Sequence, residues 1–374
     1  MKVLIIDTYY ENFLDKFYEN NIYLKDKNYV NNLNSLLNAC FGTSDSYSYY
    51  LNRLDDVEAY DLIVNSNQLQ IKWAKENKIK VNNLNFNLNY KLFRIPLLGK
   101  SLNKLSPLTN IALSQIKNIK ADVVYIQNLS FFTEDILLEI KNHTKLLVGQ
   151  IASPLPPLSF IRPYDLILTS FPHFVDQIKQ IGINSEYFRI GFDERILDKI
   201  KNKKKDINFS FVGSISKNHS DALPLLEYLV DNNNLKIFGQ GVKNLPLFSK
   251  IRKYHLGEKW GLDMYETLSR SKLSLNRHIS TAKNYANNMR LFEATGMGSL
   301  LLTDHKENLH EIFDIDKEII TYKDDEEASD KAKYYLSHPN QLKKIALAGQ
   351  ERTLKDHTYK NRMKELNNIL KKYL

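Results

Sequence analysis

Short, unbroken apolar runs alternate along the chain with longer stretches in which apolar residues return every three or four positions. Lys2 to Ile6 closes on Asp7, and Asp61 to Val64, Ala121 to Ile126, Leu146 to Ile151 and Leu166 to Thr169 repeat that form. Runs without polar alternation predict strands buried on both faces, the signature of a parallel sheet. The intervening helical periods cover Val30 to Cys40, Leu69 to Asn77 with Trp73, and Pro107 to Ile119 through Leu108, Ile111, Ala112 and Ile116. Thr133 is placed to cap a helix reaching Lys141, and Ser44 or Asp45 to cap one running through Leu54. Residues 80–105 are Asn-rich without a clean period and receive no assignment.

After a short strand at Tyr187 to Gly191 the pattern resumes. Strands are predicted at Asn208 to Val212, Leu235 to Phe238, Lys272 to Leu275, Ser299 to Thr303 and Glu318 to Tyr322, with a short strand and loop at Tyr254 to Gly257. Helices are predicted at Asp221 to Val230, Leu262 to Ser271, Met289 to Thr295, Glu326 to Ser337 and Pro339 to Tyr373. Strand and helix alternate throughout, which implies an α/β protein with mostly parallel sheets covered on both faces. At 374 residues the chain suits two domains. The charge-dense run Lys201-Asn202-Lys203-Lys204-Lys205 marks the boundary, giving domains at 1–200 and 206–374, with the terminal helix free to cross back to the first.

Hydrophobic content of 43% and charged content of 25% are those of a globular protein. No apolar run is long enough to span a bilayer and the start turns polar too soon for a signal peptide, so a cytoplasmic location is expected, with the inner membrane face as a variant. The single Cys40 excludes an intrachain disulfide or a multi-cysteine zinc site. The net charge of +9 is dispersed Lys with no basic stripe interleaved with aromatics, so a nucleic-acid partner is not expected.

Candidate chemistry concentrates between Asn287 and Asp304. Asn287 or Asn288 is placed to cap a helix whose free N–H groups could seat a phosphate, and Arg290 would add a forked cation in its first turn. Glu293, three residues on, could accept from two ribose hydroxyls; the alternative is a plain Arg–Glu pair on a helix. Gly213-Ser214 between a strand and a helix is a second anion-binding arrangement, to which Lys217 and His219 could add charge. Asn276-Arg277-His278 forms the polar exit of a strand. In the first half Asp7, Asn65, Asn128, Ser153 and His173 occupy strand exits, and His173 is the candidate acid or base because an imidazole titrates near neutrality. His357-Thr358-Tyr359 with Arg362 reads as a structural polar cluster.

Asn276-Arg277-His278, Tyr285 through Gly296, and Ala348 through Arg352 with His357-Thr358-Tyr359 and Arg362 resemble the CgeB-type glycosyltransferases of the group 1 superfamily. Phe41 through Ser48, Trp73 through Asn77 and Val148 through Pro154 extend the likeness over most of the chain. The resemblance implies the GT-B fold, two Rossmann-like domains facing a cleft, and a sugar nucleotide held by the second domain. It implies Glu293 at the ribose, Gly213, Ser214 and Arg290 at the diphosphate, and His255, Leu256 and Gly257 beside the base. His219, Asn276, His278, Asn287 and Asn288 complete the expected donor site. The first Glu of the family's Glu-x7-Glu pair falls at Tyr285, so its donor-sugar contact is missing or supplied elsewhere.

The expectation is therefore a transferase for polysaccharide biosynthesis, moving a sugar from a nucleoside-diphosphate donor to a glycan, lipid-linked or protein hydroxyl. Retention of configuration is implied, with neither cofactor nor metal, and peripheral membrane contact is a further expectation. A silent nucleotide-sugar-binding subunit and another sugar-phosphate enzyme are the alternatives.

Overall fold

The computed structural model describes residues 1–79, 106–201, 204–215 and 222–374. In the first unit β1 (Lys2–Asp7), β2 (Glu58–Ile63), β3 (Val123–Ile126), β4 (Leu146–Ile151), β5 (Leu166–Thr169) and β6 (Asn184–Tyr187) pair in parallel in the order β2-β1-β3-β4-β5-β6. Every residue of β3, β4 and β5 is buried, as their continuous apolar sequences require when helices cover both faces. The helices are α1 (Glu11–Asn20), α2 (Tyr29–Asn38), α3 (Ser46–Leu51), α4 (Asn67–Glu76), α5 (Pro107–Ile119), α6 (Glu134–Lys141) and α7 (Pro172–Gln180).

Two of these, α1 and α7, escape the sequence reading. Both are polar on most of their surface and bury only a narrow stripe, Phe13, Leu14 and Tyr18 in α1 and Phe174 and Ile178 in α7. Asp45 occupies the N-cap of α3 without a side-chain cap hydrogen bond, and the helix ends at Leu51 and not Leu54. Ser44 instead adopts a left-handed backbone, φ 49°, and its hydroxyl donates to the carbonyl of Leu37.

The second unit repeats the winding. Its strands β7 (Ile207–Val212), β8 (Lys236–Phe238), β9 (Ser271–Asn276), β10 (Leu300–Asp304) and β11 (Ile320–Tyr322) run parallel in the order β11-β10-β9-β7-β8. The helices are α8 (Ile196–Lys199), α9 (Leu223–Asn233), α10 (Lys250–Tyr254), α11 (Gly261–Arg270), α12 (Arg290–Gly296), α13 (Asp325–Ser337) and α14 (Pro339–Asp356), and α15 (Tyr359–Tyr373) begins in this unit and from Met363 groups with the first. In each unit the first strand is interior, the second lies on one side of it and the third on the other. The order in which strands are added across the sheet therefore reverses between first and third strands, and a crevice opens beyond their carboxyl ends.

The units divide at Phe188/Arg189, ahead of the basic run, and Met363–Leu374 groups with the first. Residues after β6 already belong to the second unit because Phe192 N–H donates to His357 O at 2.8 Å and Tyr359 N–H to Phe192 O at 2.9 Å. That pairing also breaks the single helix expected from Pro339 to Tyr373 into α14 and α15. Within the first unit, Glu186 accepts from Lys372 at 2.6 Å and Tyr373 at 2.8 Å. Nor is the basic run wholly solvated: Lys205 donates to the carbonyls of Ser271 and Gly298, and burial pulls its amine down to about 8. Tyr187–Gly191 is not a strand, β6 ending at Tyr187, and Tyr254 closes α10 while His255 makes only an isolated bridge to Ile237. Among the described residues no helix is long and apolar enough to cross a membrane.

Candidate functional site

In the second unit the reversal lies between β7 and β9, where Phe211 pairs with Leu275. Gly213 and Ser214 therefore leave β7 beside Asn276, Arg277 and His278 leaving β9. On the far side of β7, Gly213 N–H donates to Phe238 O at 2.9 Å and Ile215 N–H to Gln240 O at 2.8 Å. Gln240 Nε2 donates to the Ser214 hydroxyl at 3.0 Å. This side-by-side run needs glycine: at Gly239, φ 148°, a Cβ would stand 1.8 Å from Gly213 O, and at Gly241, φ 96°, 1.8 Å from Ile215 O. His255 and Gly257 join the same group, since the His255 ring bonds Gly239 O at 2.8 Å and Gly239 N–H donates to Gly257 O at 3.1 Å. Leu256 is half exposed beside them, with its N–H on Ile237 O at 2.8 Å.

Across the crevice a polar network joins β9, β10 and the loop before α12. Asn276 donates to Thr303 Oγ1 at 2.9 Å, accepts from Asn288 Nδ2 at 2.8 Å, and its carbonyl accepts from the buried Tyr322 hydroxyl at 2.9 Å. His278 places both its backbone N–H, at 3.0 Å, and Nδ1, at 2.7 Å, on Asp304 Oδ1. Lys306 holds the other Asp304 oxygen at 3.2 Å. Burial alone would raise the Asp304 carboxyl, but the charge and hydrogen bonds of His278, with Lys306 behind them, outweigh it and hold it at about 2. Asp304 ends a strand in the sequence, and only the β9/β10 pairing shows it as the partner of His278.

Two buried atoms of this network, Nε2 of His278 and Oδ1 of Asn288, have no hydrogen-bond partner. Native structures usually satisfy such groups with protein, ordered water or a ligand.

Neither Asn287 nor Asn288 caps α12, whose N-cap is Met289. Asn287 is buried, and Asn288 is spent on Asn276. The helix is short, so its dipole supplies little and the charge near it comes from Arg290. Arg290 Nη1 lies 2.9 Å from Glu293 Oε2 with both side chains largely buried, and Arg290 Nη2 touches Met264 Sδ at 3.3 Å. Glu293 Oε1 keeps a single long contact, 3.4 Å, to the Tyr265 hydroxyl. Sequence reasoning did not single out Tyr265 or Met264, since both look like ordinary positions on the amphipathic α11.

His219 lies outside the described residues. His173 belongs to the first unit and is not a strand-exit residue, because α7 begins at Pro172; its ring packs on Phe171 and Phe174 with centroids 5.4 and 4.8 Å away. The reversal of the first unit lies between β1 and β3. There Asn128 donates to Thr8 Oγ1 at 2.8 Å, Thr43 donates to Gln127 at 2.9 Å, and burial lifts Asp7 to about 7 against the hydrogen bond from Thr8 N–H. His357 and Arg362 do form a structural cluster, on Ile312 O at 2.9 Å and Ile190 O at 3.3 Å.

Two Rossmann-like units of one winding, each with polar groups at its reversal, define the GT-B fold. Residues 189–368 match the family model described as glycosyl transferase-like. Solved structures of the same fold include the sucrose-phosphate synthase of Thermosynechococcus elongatus, 8% identical with TM-score 0.62 over 100% of this chain and 98% of that one. The HepE protein of Anabaena in complex with UDP-glucose is 12% identical, TM-score 0.60, over 100% of both chains. A glycosyltransferase of Rickettsia africae is 12% identical, TM-score 0.57, over 100% of this chain and 98% of that one. The sequence matches no curated protein.

Proposed function

We propose that the chain is a glycosyltransferase of the CgeB-type branch, transferring a sugar from a nucleoside-diphosphate sugar to a hydroxyl of a glycan, lipid-linked or protein acceptor. The observation that carries this reading is the pair of unpartnered buried atoms, His278 Nε2 and Asn288 Oδ1, beside the β7/β9 reversal. With Nδ1 donating to Asp304, Nε2 of the neutral His278 ring is an acceptor like Asn288 Oδ1, and two acceptors beside the reversal suit the hydroxyls of a sugar or ribose. The UDP-glucose bound by the Anabaena protein supports a nucleotide-sugar donor of that kind.

In the reaction the bond from the anomeric carbon to the diphosphate breaks and its electrons leave with the phosphate oxygen. The acceptor oxygen bonds to the anomeric carbon on the face that the diphosphate leaves, which keeps the configuration, and releases its proton to a base, for which His173 is the residue to replace first. Charge grows on the departing diphosphate, so Arg290 and the amide of Ser214 act most strongly in the transition state, beside Gly213, whose own N–H is held by Phe238 O. Glu293, steadied by Arg290, offers Oε1 to the ribose, and His255, Leu256 and Gly257 border the base. The reading includes retention of configuration and a reaction without bound metal or cofactor. Tyr285, in place of the family's first Glu, favours a second reading, a subunit that binds the nucleotide sugar without turning it over.

A thermal-shift panel of UDP, GDP, dTDP and CMP sugars tests the binding half, since ligands specific to the folded form raise its midpoint. One nucleotide class is expected to do so. No shift with any of them defeats both readings, and a shift without release of free nucleotide over a panel of acceptors defeats the transferase.

A further inference from the structure

The most exposed large apolar side chains among the described residues are adjacent: Leu247, 86% exposed, and Phe248, 89% exposed. They lie in the loop between β8 and α10. Burial in a core explains neither, and two such neighbours projecting together cost solvation that a free loop has no need to bear.

The loop behind them is braced. Arg252 spans it, donating from Nε to Leu245 O at 3.1 Å and from Nη2 to Lys243 O at 2.7 Å. At its far end Ser249 is buried and its hydroxyl donates to Glu227 at 2.9 Å. The loop is therefore fixed at its base. From Gly241 to Gly257 the chain carries Lys243, Lys250, Arg252 and Lys253 and no Asp or Glu. Lys243, Lys250 and Lys253, which flank the two residues in sequence, are exposed, and Lys250 also pairs with Asp231 of α9.

Two exposed apolar side chains flanked in sequence by exposed lysines match the layering of a bilayer surface carrying anionic lipid: acyl chains below, phosphates level with the ammonium groups. A protein partner would be expected to meet a wider apolar area than two side chains. We propose that this loop is a membrane-docking segment, with Leu247 and Phe248 inserting below the headgroups of anionic lipids and the flanking lysines bound to their phosphates. The inference does not depend on the transferase reading. It does place the second unit at a surface where a lipid-linked acceptor would be found.

The test is co-sedimentation of the full chain with phosphatidylcholine vesicles and with vesicles containing anionic phosphatidylglycerol, at low and high salt. Binding to the anionic vesicles that weakens with salt is expected. Leu247→Ser/Phe248→Ser, at exposed positions, should reduce it about ten-fold or more, and Lys243→Ala or Lys253→Ala about five-fold each. Phe248→Trp should show blue-shifted emission on the anionic vesicles and quenching by brominated acyl chains. Equal binding to both lipids, full retention by the double Ser variant, or unquenched emission from Phe248→Trp would overturn the proposal. So would absence of vesicle binding by the wild type, including the case in which the loop instead proves to hold a protein.

Discussion

Arg290 Nη1 and Glu293 Oε2 lie 2.9 Å apart, three residues apart on α12, and both side chains are largely shielded from water. Each satisfies a charge the other would leave exposed to a low dielectric, so the pair stabilises the first turn of α12 whether or not donor is present. One pair thus carries a structural duty and a proposed chemical one, and these separate by experiment. Arg290→Ala is expected to cost about 2–3 kcal/mol of stability by leaving the Glu293 charge unpaired, and to lower turnover roughly 10²-fold. In Arg290→Ala/Glu293→Gln the buried charge is gone, so most of the stability should return and the turnover should not. Chemical denaturation and initial rates measure the two; recovery of both would leave Arg290 only a structural role.

Asp304→Asn frees the His278 ring from its anchor. Donor affinity, by calorimetry, is expected to fall by about ten-fold, the worth of one charge-assisted hydrogen bond. An unchanged dissociation constant would remove His278 from the donor site.

Gly239→Ala drives a Cβ to within 1.8 Å of Gly213 O, backbone against backbone, and should lower stability by roughly 3 kcal/mol or more. Gly257→Ala has open space around it and bears only the strain of φ 91°, roughly 1 kcal/mol. Thermal melts of the two variants compare them. Equal losses would show that the close packing of the two loops contributes nothing.

Acid stability follows from groups of opposite sign. Burial drives the His357 imidazole down to about 4, so the neutral ring stabilises the fold fully above its unfolded value near 6.5, and that contribution is lost as pH falls toward 4. Asp304, held at about 2, adds a second loss between about 3.8 and 2. In Asp7→Asn, which removes the opposing titration of that carboxyl over the same range, denaturation midpoints should therefore fall from pH 6.5 to 4 and again below 4. A flat profile from 6.5 to 4 would contradict the burial of His357.

Asp7 works the other way. Its carboxyl is raised to about 7, so the protonated form stabilises the fold at low pH, and the benefit is lost as pH rises from about 4 through 7. Asp7→Asn, permanently neutral, should be more stable than the wild type by about 1–2 kcal/mol at pH 8 and indistinguishable at pH 4. A destabilised variant at pH 8 would show that the charged form is held by contacts the fold cannot lose.

The amino-acid sequence by itself determined the alternation of strand and helix, the parallel sheets and most element positions, because continuous apolar runs and helical periods are local properties of the chain. It also marked Gly213, Arg290 and Glu293, whose spacing along one loop or one helix turn is local too. What only the tertiary structure decided is set by groups far apart in the chain. His278 meets Asp304 because β9 and β10 pair in register, and Gly239 must be glycine because a different strand's carbonyl passes beside it. The chain divides at Arg189 and not at the lysine run, because Phe192 is stitched to a helix end 165 residues later, at His357. No pattern of hydrophobic and polar positions records a hydrogen bond between such distant backbones, since its strength depends on where the chain returns and not on what surrounds it in sequence.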